Sequence, residues 1–562
     1  MPLRVLRFVP LLSQIRNYER SDARGDLTAG LTTAVMLIPQ AMGYAMLAGL
    51  NPIYGLYSAV LPLVLYAVVG TSRQLAVGPV ALDSLLVAAG VSALVAPSAP
   101  EYALYATLLA LLVGMTQVAM GVARLGFLVN FLSQPVISGF TSAAALIIGL
   151  SQLKHVLGFD IPRSDHVHTI LVSAWDRLGE THLPSLLVGV SSIAVLLTCK
   201  KLSRRIPGAL LVVAAATLIV AVFQLDGVAV VGRVPAGLPP LELPRFDFAT
   251  DKLIPITLTI ALVGFMEAIA VAKKYAALNR YEVDANRELV GIGLANVAAG
   301  FSSGYPVTGG LSRTAVNAEA GARTGLASLV TAGVVSITLL FITPLFRTMP
   351  NAALAAIIMT AVFGLIDVKS VKYLWRVKRQ DLAMLVVTFL ATLVLGIQHG
   401  VLIGVAASLL QVLYASSRPH IAVVGRLPET GIYRNTRRYP EAEEVPGVLA
   451  LRLDSDLYFA NIAFLKDSLR ALETHTLTAV VLDASGINQI DASAELALRE
   501  ILEGYEGRGI RFMMSNLKGP VRDVLRRSGF YAVIGPDNVF DTLELAMATL
   551  RPSPRPHPQR FA

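Results

Sequence analysis

Charge is missing from long stretches of this chain. No Asp, Glu, Lys or Arg occurs from Leu27 to Ser72, Tyr102 to Ala123, Leu125 to Leu153 or Leu382 to Ser417. A helix crossing the hydrocarbon core of a bilayer needs about 20 predominantly apolar residues. The runs that start at Leu27 and Leu382 are long enough for two spans each. The pattern predicts fourteen helical segments, seven of them at about 27–48, 54–70, 78–94, 102–122, 127–152, 183–199 and 207–224. The other seven lie at about 253–275, 284–301, 307–321, 324–346, 350–366, 380–397 and 399–416. Segments 78–94 and 307–321 differ from the rest. Gly78-Pro79-Val80-Ala81 opens the first, and Gly304-Tyr305-Pro306-Val307-Thr308-Gly309-Gly310 leads into the second. Both read as half-helices preceded by extended backbone, the kind of broken segment that marks a midplane substrate site in secondary transporters.

The loop charges orient these segments. With the N-terminus inside, the inner loops carry Arg73, Arg124, Lys200, Lys201, Arg204, Arg205, Lys273, Lys274, Lys369, Lys372, Arg376, Lys378 and Arg379. The outer connections at about 96–100, 301–305 and 396–400 carry no Lys or Arg. This is the positive-inside asymmetry, and the longer mixed-charge loops at about 155–182 and 225–252 weigh less. An even number of spans puts Arg418 and the C-terminal region in the cytoplasm with the N-terminus. The expected location is the cell membrane, specifically a bacterial inner membrane, crossed many times. The halves also match in spacing: Thr28 precedes Pro79 by 51 residues, and Pro255 precedes Pro306 by 51. Seven spans invert the second half relative to the first. The expectation is an inverted repeat, residues 25–225 and 250–418, with the two half-helices facing each other.

Composition narrows the class. Of 562 residues, 54% are hydrophobic and 15% charged, against about 25% charged in soluble proteins. The net charge of +9 resides mainly in short loops, so it reads as topology control and no nucleic-acid partner is expected. The single cysteine, Cys199, rules out intrachain disulfides and a cysteine-based metal cluster. Residues 1–24 hold five arginines ahead of the first span and no signal-peptide core. They read as a cytoplasmic segment with an interfacial helix. There is no metal-spaced histidine cluster, nucleophile elbow or P-loop, and Gly291-Ile292-Gly293 lies inside an apolar span. No enzyme, cofactor or bound metal is expected.

Chemistry concentrates at the two breaks. Helix N-termini carry unsatisfied N–H groups and about half a positive charge. Two of them aimed at one point form an anion site from backbone alone. Pro79 and Pro306 suit such starts, since proline lacks the N–H that would go unpaired there. Gly309 and Gly310 allow close approach of a ligand, Ser312 adds a hydroxyl, and Arg313 adds a full positive charge inside the membrane. An intramembrane charge is expensive and usually functional. Arg313 is thus a candidate anion ligand, with structural pairing to an acidic residue as the alternative.

Two acidic residues matter as much. Glu267, in Val263-Gly264-Phe265-Met266-Glu267-Ala268, is the only charged residue from Leu253 to Ala272. It is a candidate proton carrier, or else a permanent partner of Arg313. Asp83 lies three residues after Val80, on about the same helix face. Its candidate roles are hydrating a cavity, binding a cation or relaying protons. The expected coupling ion is H+, with Na+ as the alternative.

These stretches resemble a known family. Gly25-Asp26-Leu27-Thr28-Ala29-Gly30-Leu31, Ile38-Pro39-Gln40-Ala41-Met42, Pro52-Ile53-Tyr54-Gly55-Leu56-Tyr57, Gly70-Thr71-Ser72-Arg73-Gln74, Gly78-Pro79 and Leu311-Ser312-Arg313 occur in the order seen in SulP-type anion transporters. That family includes sulfate permeases, chloride–bicarbonate exchangers and prestin. The resemblance implies a seven-plus-seven inverted repeat, a core of spans 1–4 and 8–11, a gate of spans 5–7 and 12–14, and a homodimer. It also implies an anion pocket lined by Gln40 and Tyr44, by Val80 and Ala81, and by Gly310, Leu311, Ser312 and Arg313. Gln40 and Tyr44 share a helix face, four residues apart. A helix–helix hydrogen bond for Gln40 and plain packing for Tyr44 are the alternatives. Val80 stands where some relatives have phenylalanine, which alters the pocket's size.

From about Val445 the pattern changes. Val448–Leu453, Ala479–Asp483 and Ile510–Ser515 read as strands, and Ala494–Gly504 and Pro520–Ser528 as helices. The alternation predicts a small α/β domain over 445–550, preceded by a linker at 419–444 and followed by a disordered tail at 551–562. It resembles a STAS domain, so a cytosolic partner is expected there. STAS domains also occur in anti-sigma-factor antagonists; by that resemblance Ser493 falls near their phosphorylated serine, or else it caps the helix that follows. The whole reads as an α-helical membrane protein with a cytoplasmic α/β domain. Its expected function is transport of a small inorganic or organic anion (sulfate, bicarbonate or dicarboxylate class) by alternating access, with proton symport as the leading mode. Anion exchange, an anion channel and a membrane-tethered sensor are the rivals.

Overall fold

The computed structural model describes residues 9–15, 18–127, 133–162, 166–202, 207–242, 250–428, 430 and 432–550. The tail assigned to 551–562 lies outside these residues, as does most of the segment before Val9. The chain divides into two compact units, Met1–Ser408 and Leu409–Ala562.

Each of the fourteen predicted segments holds helix among its described residues, with a break at 58–60 in the second and extended backbone at the starts of 78–94 and 307–321. In the first half they are α1 (Arg20–Leu47), α2 (Pro52–Tyr57) with α3 (Leu61–Val69), α4 (Ala81–Ser92), α5 (Tyr102–Val122), α6 (Gln134–Ser151), α7 (Leu183–Leu202) and α8 (Gly208–Phe223). In the second they are α9 (Thr250–Leu278), α10 (Ala285–Phe301), α11 (Leu311–Glu319), α12 (Leu326–Ile337), α13 (Asn351–Val362), α14 (Arg379–Leu395) and α15 (Ile397–Ser417). Among the described residues, eight helical stretches are long and apolar enough to cross a membrane, and α4 and α8 are shorter apolar helices.

The first helix starts earlier than the charge pattern implied. Glu19 and Asp22 form a reciprocal capping box that starts α1 at Arg20. Residues 20–24, read as part of a separate N-terminal segment, therefore belong to the first membrane helix.

Helices of segments 1–4 pack against those of segments 8–11: α5 on α10, α1 on α12, and α3 on both α10 and α12. A second set joins segments 5 and 6 to 12 and 13, through α6 on α14 and α7 on α13. These contacts follow the core and gate groupings that the family resemblance implies, and α1 also packs on α8 and α13 across them. The α5–α10 contact depends on small residues. A Cβ on Gly114 would lie 2.5 Å from the Val297 amide nitrogen and 2.6 Å from the Gly293 carbonyl oxygen. Without a hydrophobic drive between helices in lipid, such close backbone approach supplies the packing energy. Gly114→Val is expected to destabilise the protein by about 1–3 kcal/mol or more, the range for overpacked cores. A lowered melting temperature in detergent, with loss of monodisperse protein, is the readout.

In the membrane unit, β1 (Val77–Gly78) and β2 (Thr308–Gly309) form a two-stranded pair; in the C-terminal unit, six strands form one sheet in the order β4-β3-β5-β6-β7-β8. They are β3 (Ile421–Arg426), β4 (Tyr433–Asn435), β5 (Val448–Leu453), β6 (Ala479–Asp483), β7 (Arg511–Ser515) and β8 (Val539–Phe540). Strands β5 to β8 are parallel, and β3 pairs antiparallel with both β4 and β5. The stretch 419–444 is therefore not a linker. Ala422 and Val424 alternate into an apolar cluster with Ala450, Val481 and Met513, which draws β3 onto the sheet. Helices Ile462–Leu472, Ala492–Glu506 and Gly519–Arg527 complete the alternation. The cap of Ala492–Glu506 is Asp491, whose carboxylate accepts from the Ala494 amide at 2.8 Å. Ser493 lies inside the first turn, exposed, and does not cap.

Because β3 and β4 belong to this sheet, a viable truncation must fall before them. Protein ending at Arg418 is expected to keep anion binding with an affinity within about threefold of wild type. The comparison is binding by the purified, monodisperse truncated and full-length proteins.

Candidate functional site

The two broken segments meet. Strand β1 (Val77–Gly78) pairs antiparallel with β2 (Thr308–Gly309), with Val77 opposite Gly309 and Gly78 opposite Thr308. The Gly310 amide extends the ladder by donating to the Ala76 carbonyl at 3.1 Å. Each strand leads directly into a half-helix: Val80 is the extended N-cap of α4, and Gly310 the extended N-cap of α11. Neither helix has a side-chain cap. The N–H groups of both first turns are left for another acceptor. Gly78 has φ +151°, a conformation that side chains disfavour, so glycine is required at this crossing.

Polar side chains hold the breaks in place. The Asn296 amide grips Val307 on both sides, accepting from its N–H at 2.7 Å and donating to its carbonyl at 2.9 Å. It also donates to Gln117 Oε1 at 3.0 Å, and Gln117 donates onward to the Ala261 carbonyl at 3.1 Å. Thr314 Oγ1 accepts from the Ala76 amide at 3.0 Å, and Asn317 donates to the Gln74 carbonyl at 2.9 Å. Ser58 Oγ accepts from the Tyr305 amide at 2.8 Å. Two buried carboxylates fix the flanking loops reciprocally. Glu288 of the second half accepts from the Thr71 amide at 2.5 Å, the Ser72 amide at 3.0 Å and the Tyr66 hydroxyl at 2.8 Å. Asp26 of the first half accepts from the Arg323 and Thr324 amides at 2.7 and 3.0 Å. The sequence reading singled out none of these residues for the site. The visible signal was each lone polar group inside an apolar helix, as with Asn296 in Gly291–Phe301.

Arg313 lies across the junction and is 1% exposed. One guanidinium nitrogen donates to the Pro79 carbonyl, at the mouth of the other half-helix. The group is folded against Gly310, where a Cβ would lie 2.9 Å from Nη2, and against Gly78. Nε and Nη2 are buried with no acceptor among the described residues. Buried donors left unpaired by the protein are rare and need an anion or a water to satisfy them. Glu267 lies within electrostatic range of Arg313, yet the two form no ion pair among the described residues. The permanent-partner reading of both residues is therefore not what the structure shows.

The remaining candidates fall around this point to different degrees. Gln40 is 3% exposed and its Oε1 has no donor, so it makes no helix–helix hydrogen bond through that atom. Tyr44 packs in one apolar cluster with Ala81 and Tyr305, and its hydroxyl is within electrostatic range of Arg313 and Glu267. Val80 and Ala81 are buried at the start of α4. Gly310 is buried, while Leu311 and Ser312 are exposed at the start of α11. Glu267 is half-buried, and its Oε2 has no donor. Asp83 is 1% exposed, and neither carboxyl oxygen has a hydrogen-bond partner among the described residues.

Comparison with known proteins agrees with this architecture. Residues 24–388 match the sulfate permease family, and residues 439–546 match the STAS domain. The probable sulfate transporter 4.2 of Arabidopsis thaliana is 45% identical over 92% of this chain and 79% of its own length. A probable sulfate transporter of Mycobacterium tuberculosis is 37% identical over 97% of this chain and 98% of its own. Among solved structures, the murine Solute Carrier 26 family member A9 anion transporter, in its inward-facing state, superposes with a TM-score of 0.89 at 27% identity. It covers 98% of this chain and 95% of its own. The transmembrane domain of a cyanobacterial bicarbonate transporter, BicA, superposes with a TM-score of 0.61 at 26% identity, over 70% of this chain and 98% of its own.

Proposed function

We propose that this chain, which belongs to the sulfate permease family, carries a sulfate-class anion across the membrane by proton-coupled symport. The family and the named transporters among its relatives make it a multi-pass anion transport protein rather than an enzyme. The finer reading rests on one observation: two uncapped helix N-termini and two unpaired Arg313 donors converge at the β1–β2 crossing. Together they supply N–H groups and positive charge at one point without a counter-ion in contact. An oxyanion with several acceptor oxygens suits that donor set. Gln40 and Ser312 add polar contacts, while Tyr44, Val80, Ala81 and Leu311 wall the site and Gly310 gives it room.

Glu267 is the coupling group in this reading. Among the described residues it is the one carboxyl within electrostatic range of Arg313, so the anion and Glu267 compete for the same positive charge. An arriving anion favours the protonated acid, and the loaded site then moves as a unit. The antiparallel β1–β2 pair and the matched 51-residue intervals support an inverted repeat whose halves share this site. The same reading places the protein in a bacterial inner membrane as a homodimer, both termini cytoplasmic, with the STAS domain open to a cytosolic partner.

Bicarbonate is the competing substrate, favoured by the likeness to BicA. Uptake of labelled sulfate into proteoliposomes, with and without an inward proton gradient, tests the reading. Bicarbonate, nitrate and a dicarboxylate serve as competitors. Saturable uptake that the gradient accelerates and that sulfate itself best competes is the expected outcome. Unitary currents would point to a channel. Gradient-independent exchange would remove the symport.

A further inference from the structure

We propose that Asp83 is a second proton site, so that two protons accompany each divalent anion. The inference deepens the symport reading above and depends on it. Asp83 is the third residue of α4, within the first turn whose N–H groups face the anion site. Its carboxyl group is turned onto the backbone of α9: a Cβ on Gly264 would lie 2.9 Å from Oδ2 and 3.5 Å from Oδ1. Glycine at 264 is what admits it. The Gly264 carbonyl is already engaged, accepting from Thr308 Oγ1 at 2.6 Å. Glu267 follows Gly264 by three residues on α9, about one helical turn away on the same face.

Among the described residues, no positive charge pairs with Asp83; the cation of the site, Arg313, is engaged at the Pro79 carbonyl. Helices α1, α5, α6 and α9 pack against α4. Helix α6 has no titratable side chain, and α5 has only Tyr102 and Tyr105, in its first turn. Helix α1 contributes Tyr44 near the site, and α9 contributes Glu267. Tyr305, from the segment before β2, shares a hydrogen bond with Ser84 at 3.2 Å and lies in electrostatic range of Asp83. Glu267 is the charged group in range of Asp83, and it has the same sign. A buried carboxylate with neither donor nor counter-ion is strongly disfavoured, and a second carboxylate nearby disfavours it further.

Position adds a second argument. An ionised carboxylate in the first turn of α4 would itself take up the positive end of that helix. It would then oppose the incoming anion. Carrying a proton, Asp83 leaves that end of the helix to the anion. Proton binding at Asp83 and anion binding at α4 thus reinforce each other, and the effect is reciprocal. Glu267 is partly exposed and Asp83 fully buried, so in this proposal Glu267 is the group through which Asp83 exchanges its proton. One proton on an Asp83 oxygen and one on a Glu267 oxygen offset the two charges of a sulfate-class anion. Both protons leave with the anion on the far side, and the positive end of α4 that the anion vacates then stabilises the ionised Asp83 for the return.

The test is the proton-to-sulfate ratio of the full-length protein in proteoliposomes, read from the sulfate gradient at zero net flux. Membrane voltage is set with potassium and valinomycin. For wild type, we expect the balancing sulfate ratio to change by about two decades per pH unit and to ignore voltage. For Asp83→Asn, we expect about one decade per pH unit and a voltage dependence, because one negative charge now moves uncompensated. A wild-type slope of one decade overturns the inference even if Asp83→Asn fails to fold, and leaves symport standing. An unchanged two-decade slope in Asp83→Asn also overturns it. Sodium-dependent uptake lost in Asp83→Asn would make Asp83 a cation ligand instead. A wild-type protein with no response to the pH gradient would remove the symport reading itself.

Discussion

Arg313→Ala abolishes anion uptake and weakens anion binding by more than about 100-fold, while the protein remains folded. Two unpaired guanidinium donors at the β1–β2 crossing motivate this expectation. A hydrogen bond to a charged group contributes about 1.5–3 kcal/mol, so losing two exceeds two orders of magnitude in affinity. The variant also loses the contact to the Pro79 carbonyl, but the crossing keeps its β1–β2 bonds and the Asn296 grip on Val307. Arg313→Lys should recover only part of the binding, since an ammonium is a point charge without the guanidinium's fixed pair of donors. Isothermal titration with sulfate on purified, monodisperse protein reads both variants. Wild-type affinity in Arg313→Ala would place the anion elsewhere.

Much of this site was legible before the fold was known, because the physics at the breaks is local. Gly78-Pro79 and Thr308-Gly309-Gly310 cannot continue a helix comfortably, so extended backbone leading into α4 and α11 follows from residue type alone. Arg313 stands out because charge inside an apolar run must have a reason. The long-range grips were not legible. Nothing local says that Asn296 reaches Val307, or that Glu288 accepts from Thr71 and Ser72 across 216 residues or more of chain. The boundary errors have similar causes. The Glu19–Asp22 capping box lies among charges, so α1 seemed to begin where the charge ended. Strand β3 is a short apolar run beside an Arg-, Glu- and Pro-rich stretch, and only its partners β4 and β5 make it a strand. Asp491 displaced Ser493 as the cap because both are suitable residue types two positions apart.

Glu267→Gln should separate binding from coupling. Glutamine keeps the shape and the hydrogen-bonding capacity of the acid but releases no proton. The variant is expected to bind sulfate within about threefold of wild type and to retain anion exchange. Its accumulation under an inward proton gradient should fall to the level seen with no gradient. That loss is complete rather than partial if, as proposed, the buried Asp83 exchanges its proton through Glu267. Asp83→Asn, by contrast, keeps a response to the gradient. The comparison is initial uptake and the final sulfate ratio for wild type and Glu267→Gln, each with and without the gradient. An undiminished response in Glu267→Gln would remove it as the required carrier and move that role to Asp83.

In the proposed transport site, the anion sits between the first turns of α4 and α11, held by backbone N–H groups and Arg313. Selenate replaces sulfate closely and scatters anomalously at the selenium edge. A crystal of the wild-type protein grown with selenate therefore locates the anion without reference to any functional assay. The account predicts an anomalous peak at the β1–β2 crossing, within hydrogen-bond reach of Arg313 and of the amides at Ala81–Leu82 and Leu311–Ser312. A peak confined to the C-terminal domain, or one in the membrane region away from Arg313, would contradict it.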